Sequence, residues 1–94
     1  MFAPEDRVRR SQTVVGEGLR DEYLVLDLGN GRYYGLDGVA RFVWDRLDGT
    51  TTVEEIASAV VESFEVDLGR AREDVLELLG QLEERGLVET GEAR

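Results

Sequence analysis

Between Leu24 and Leu36 two short apolar runs, Leu24-Val25-Leu26-Asp27-Leu28 and Arg32-Tyr33-Tyr34-Gly35-Leu36, flank the triplet Gly29-Asn30-Gly31. Asn30-Gly31 accepts the positive φ angles that a two-residue type I′ turn requires, so the segment reads as a β-hairpin. That turn sets Leu28 opposite Tyr33, Leu26 opposite Gly35 and Val25 opposite Leu36. Because side chains alternate along a strand, one face carries Leu24, Leu26, Leu28 and Tyr33, and the other Tyr23, Val25, Tyr34 and Leu36. Both faces are apolar, whereas a sheet backed by helices on one side should alternate apolar with polar residues. The second face, or the free edge beside it, needs cover. Either the ends of the chain or a partner must supply it.

Ninety-four residues suffice for one domain with a modest core, here residues 1–94 with an ordered core over about 7–89, and not for a cleft between lobes. The chain has no cysteine and no histidine, which removes disulfides, thiolate metal sites and the commonest base and metal ligand. Zinc and triad chemistry are set aside, and no metal or cofactor is expected. Eleven basic residues, all arginine, stand against 21 acidic ones, for a net charge of −10. Nucleic acid and anionic membranes are repelled by that balance and a basic peptide is attracted. No apolar run is long enough to span a bilayer, and Met1-Phe2-Ala3-Pro4-Glu5-Asp6 lacks the features of a signal peptide, so a cytoplasmic protein is expected.

Upstream of the hairpin, a first strand is expected around Val8 or around Thr13-Val14-Val15, with Gly16-Glu17-Gly18 as a turn. Paired with residues 22 to 28, that strand completes a three-stranded antiparallel meander whose last member, 32 to 36, is an edge. Asp37 is placed to cap a helix over 38 to 47, in which Ala40, Val43, Trp44 and Leu47 form the buried stripe and Gly49 the stop. Phe42 falls off that stripe with Val39, either as an ordinary exposed aromatic or as a docking point for a larger protein. Thr52-Val53-Glu54-Glu55 has the form of a capping box. Behind it Val53, Ile56, Ala57, Val60, Val61 and Phe64 repeat with helical spacing.

Asp67 can cap a third helix over 68 to 85 that Gly86 ends. Leu68, Ala71, Val75, Leu78, Leu79 and Leu82 gather on one face of it, with Glu73, Glu77 and Glu84 opposite. Leu76 widens the apolar stripe on one margin, and Asp74 sits on the other beside Leu78 and Arg85. A groove along this helix would be lined at such margins, although on the pattern alone a broad core stripe plus a solvated carboxylate is the favoured reading. Leu87-Val88-Glu89 adds a short terminal strand or wing, and Thr90 to Arg94 should fray. The sum is a winged-helix-like α+β fold: a three-stranded antiparallel sheet, three helices and a short C-terminal wing.

Gly29-x-Gly31 lies in a turn and not before a helix, so it is no phosphate loop. No pair of carboxylates is spaced as a general acid and base, and no catalytic residues are assigned. A winged helix suggests DNA, but the outward glutamates of the third helix oppose it, leaving a DNA-binding regulator as a less favoured reading and a small enzyme, without histidine or cysteine, as the least favoured.

In order along the chain come Leu26-Asp27, Gly31-Arg32-Tyr33-Tyr34-Gly35-Leu36, Ala40-Arg41-Phe42-Val43-Trp44 and Leu47-Asp48-Gly49-Thr50-Thr51-Thr52-Val53. Asp74-Val75 through Leu82 to Arg85-Gly86-Leu87-Val88 follows. This series resembles the pyrroloquinoline quinone biosynthesis protein D family, the recognition elements for ribosomally made, post-translationally modified peptides, over residues 7 to 89. The Gly-Arg-Tyr-Tyr-Gly-Leu segment looks most like the stand-alone members of lasso-peptide pathways. The resemblance implies a non-enzyme that binds a precursor's leader peptide and presents it to a separate, cysteine-protease-like leader peptidase and a cyclase. The alternative it leaves is a peptide chaperone for a pyrroloquinoline quinone-type or other radical-enzyme pathway. The leader would add as a strand to the edge at Arg32, Tyr33, Tyr34, Gly35 and Leu36. Mapped onto this chain, Asp74, Val75, Leu78 and Leu76 of the third helix would wall the site, with Asp74 offered to a basic leader residue.

Overall fold

The computed structural model describes residues 2–20 and 22–90. Its elements run β1 (Arg7–Arg10), β2 (Val14–Leu19), β3 (Glu22–Asp27), β4 (Arg32–Leu36), α1 (Gly38–Trp44), β5 (Asp48–Thr52), α2 (Val53–Phe64), α3 (Leu68–Glu84) and β6 (Val88–Thr90). Two antiparallel three-stranded sheets result, ordered β5-β1-β6 and β2-β3-β4. The second is the expected meander. Both candidates for the first strand are strands, one in each sheet, and the C-terminal wing, β6, pairs with β1 through Arg10↔Val88. Of the segment expected to fray, Thr90 closes β6, and residues 91–94 lie outside the described residues.

Local chemistry explains the helices. The α2 capping box forms in full: the Glu55 N–H donates to Thr52 Oγ1 at 3.1 Å, and the Thr52 N–H donates to Glu55 Oε1 at 2.9 Å. At α3 the Arg70 N–H donates to Asp67 Oδ1 at 2.8 Å. The helix closes with Gly86 at φ 75° and a Leu87 N–H bond to the Leu82 carbonyl, a left-handed stop that glycine adopts without strain. One core joins Val8 of β1, Val25 of β3, Val43 and Trp44 of α1, Ile56 of α2, and Val75, Leu79 and Leu82 of α3.

Gly16-Glu17-Gly18 is not a turn but the middle of β2, paired with Val25, Leu24 and Tyr23. Four further expectations are corrected. The hairpin turn is not type I′: Asn30 is not at positive φ, and Gly31 alone is, at 76°. The connection spans residues 28–31, because the Asp27 carboxylate accepts the Gly29 N–H at 2.9 Å and the Asp27 carbonyl accepts the Gly31 N–H at 2.8 Å. Asp27 therefore ends the ladder one residue early, and the pairs are Leu26↔Tyr33, Val25↔Tyr34 and Leu24↔Gly35. The partner shift of two residues is even, so each side chain keeps its expected face. Second, α1 stops at Trp44, and the Asp37 carboxylate makes no cap bond. Burial of Val43 and Trp44 holds this short helix instead.

Third, residues 48–52, read as a stop and a cap, form β5 against β1. Gly49, at φ 84°, lies at the irregularity in that pairing, with the site of a Cβ only 3.4 Å from Arg9 Cβ. Fourth, Phe42 is half-buried and not a freely exposed aromatic. Its ring meets Phe64 edge-on at 5.2 Å, and the Arg46 guanidinium lies 3.5 Å above it. Val39 remains exposed.

Candidate functional site

The β2-β3-β4 sheet has two free edges among the described residues, β2 and β4. They are not equivalent. A charged residue at the middle of an edge strand discourages another strand from pairing there, and β2 carries Glu17 at that position. On β4 the only charge is Arg32 at its start, and Tyr33-Tyr34-Gly35-Leu36 is uncharged. Alternate residues of an edge strand aim their N–H and C=O groups outward, so β4 presents an unguarded row of donors and acceptors.

On the inner face of β4, Tyr34 and Leu36 pack against the core as partly buried side chains. On the outer face Tyr33 is 69% exposed, and Gly35 bares the methyl groups of Leu24, 3.9 Å from where its Cβ would stand. A cavity of about 380 Å³ opens at this end of the strand, over Leu24, Gly35, Leu36 and Asp37. Across Asp37 a second cavity of about 290 Å³ lies between the start of α1 and one flank of α3, with Val39, Ala40 and Leu78 beneath and Asp74 and Gln81 at the rim. From the helix end the Arg85 guanidinium reaches 4.9 Å from the Tyr34 ring, tying the C-terminal turn of α3 to β4.

The structure thus gathers Tyr34, Leu36, Asp74 and Leu78 around the passage from β4 into α1. Arg32 stands exposed at the opposite end of the strand. Val75, 1% exposed, is a core residue behind the wall. Leu76 is not brought to this flank: it lines a separate depression with Phe2 and Gly80 on the other side of α3. Asp74 is already engaged by Arg70 at 3.4 Å in an exposed i, i+4 pair, which takes up part of its charge at little cost to break. Asp37, Ala40 and Gln81 are additions to the expected set, and Val39, read beside Phe42 as part of a possible docking point for a larger protein, lines this cavity instead. Gln81 was findable, since 74, 78, 81 and 85 fall on one helical ridge. Asp37, Val39 and Ala40 were not, because which side of α1 faces α3 depends on the crossing of the two helices.

The outer face of the sheet keeps its apolar side chains in solvent, with Val15, Leu19, Leu28 and Tyr33 all exposed. The chain ends do not cover it among the described residues: Phe2 joins the core and β6 pairs with β1. No helix of the described residues is long and apolar enough to cross a membrane.

The family model described as coenzyme PQQ synthesis protein D (PqqD) matches residues 22–88. The PqqA binding protein of Xanthomonas campestris pv. campestris (strain B100) is 33% identical over 69 residues, 73% of each chain. Among solved structures, TbiB1 in complex with the TbiA(beta) leader peptide is 32% identical with a TM-score of 0.80, over 92% of this chain and 99% of that one. The PqqD truncation of Methylobacterium extorquens PqqCD, described as a functional and stand-alone RiPP recognition element, is 25% identical with a TM-score of 0.79, over 95% of both chains.

Proposed function

Because this chain belongs to the PqqD family, we propose that it is a non-catalytic, cytoplasmic adaptor that binds the leader of a ribosomally synthesised lasso-peptide precursor. The leader adds as a strand to β4 beside α3, and the precursor is presented to a separate, cysteine-protease-like leader peptidase and a cyclase. The observation that carries this reading is the unguarded β4 edge bordered by the Leu78 flank of α3. Strand addition draws affinity from main-chain hydrogen bonds and specificity from pockets for alternate side chains. Each such bond contributes about 0.5–1.5 kcal/mol net. Apolar anchors must add the rest at about 25 cal/mol per Å² buried. Tyr34, Leu36 and Leu78 receive the anchors on the inner side, Tyr33 and Gly35 on the outer, and Arg32 marks the hairpin end of the site. Asp74 exchanges Arg70 for a basic leader residue. Likeness to a protein solved with a leader peptide supports the choice of ligand.

Titrating the isotopically labelled chain with a lasso-precursor leader should perturb residues 32–36 and the 74–81 flank together, and Leu78→Glu should weaken binding at least tenfold, about 1.4 kcal/mol. Shifts confined elsewhere would remove the proposal. A PqqA-type precursor is the second reading, favoured by the likeness to a PqqA binding protein. Tighter binding of PqqA than of a lasso leader in the same anisotropy assay selects it.

A further inference from the structure

The flank of α3 turned away from the groove carries a depression of about 450 Å³ with Phe2, Leu76 and Gly80 as its floor and Glu77, Glu83 and Glu84 along its rim. Gly80 lies well inside the 17-residue helix α3, where glycine is less stable than alanine. Nothing among the described residues calls for it. Its φ is not positive, and among the described residues no heavy atom outside its own helical backbone lies within 4 Å of where a Cβ would stand. A small residue at such a place lets another backbone approach. Leu76, Gly80 and Glu84 succeed one another four apart and so form one ridge, and the gap at Gly80 is the shape into which a side chain of a crossing helix fits.

We propose that this flank docks a basic amphipathic helix of a second protein. One apolar side chain of that helix enters the gap over Gly80. Its arginines or lysines lay their aliphatic stems along Leu76 and direct their charges to Glu77 and Glu84. The charge argument selects the occupant, because a second copy of a chain with net charge −10 brings the wrong sign. Positions two apart on a helix point about 200° apart, so Leu76 and Gly80 face away from Leu78, and Glu77 stands on the crest between the two cavities. A protein on one flank and a peptide on the other can be held together. The inference rests on the proposed function, which supplies the peptidase and the cyclase as the candidate partners.

The test uses the full chain immobilised for biolayer interferometry, with the pathway's leader peptidase, its cyclase and the leader peptide as three separate probes. Gly80→Leu, which closes the gap with a good helix former, should weaken at least one enzyme tenfold or more and leave the leader's affinity unchanged. Gly80→Ala, which should raise the melting temperature, serves as the fold control. Enzyme binding that is indifferent to Gly80→Leu, or absent for both enzymes, overturns the proposal. So does a Gly80→Leu-sensitive self-association in sedimentation, which would make the occupant a second copy. Loss of leader binding in the wild type with enzyme binding intact defeats the leader reading alone.

Discussion

Asp27 decides where the hairpin turns. Only 7% exposed, it uses its carboxylate on the Gly29 N–H and its carbonyl on the Gly31 N–H, so the strand ends at Asp27 instead of running on through Leu28. Replacing it with alanine should leave a turn donor without its acceptor and cost about 1–2 kcal/mol in urea unfolding. Asp48 makes a second such turn at the head of β5. The N–H and hydroxyl groups of Thr50 and Thr51 hold its carboxyl down, at about 2 against an ordinary 3.8. A depressed carboxyl supports the fold fully above its unfolded value and loses that support as pH falls through the folded one. The gap in melting temperature between wild type and Asp48→Asn should be constant near neutral pH and shrink as pH drops from about 3.8 towards about 2. The Asn30-Gly31 pair advertises a tight turn and the sequence does contain a hairpin there. What misleads is that a carboxylate's choice between solvent and a local N–H depends on its burial.

At the level of elements, the parts that fasten themselves were legible. The Thr52 box and the Asp67 cap are short-range, so α2 and α3 stand where their spacing put them. β5 was not legible, because a run of Asp-Gly-Thr-Thr-Thr becomes a strand only beside β1, some forty positions away. In the site the same division holds. β4 follows from the hairpin, whereas which margin of α3, that of Leu78 or that of Leu76, lies beside β4 depends on how the helix crosses α1. The unequal edges make a prediction of their own. Glu17→Thr removes the charge from the middle of β2 and supplies a good strand former. The variant should dimerise through β2 in sedimentation equilibrium while β4 stays unpaired.

The molecule as a whole is a plate of about 35 × 35 × 19 Å with net charge −10. Its field draws in a basic peptide from a distance and is screened by salt within about 10 Å at 0.1 M ionic strength. Raising the salt should therefore slow association of a basic leader in stopped-flow fluorescence and alter the dissociation rate much less. The two sheets also differ in how far apart in the chain their strands begin. All of β2-β3-β4 falls within residues 14–36, while β1 joins β6 through Arg10↔Val88. A nascent chain leaving the ribosome can thus assemble the β2-β3-β4 sheet from neighbouring residues early. Val8 and its strand must wait, half-paired, until translation has passed residue 88.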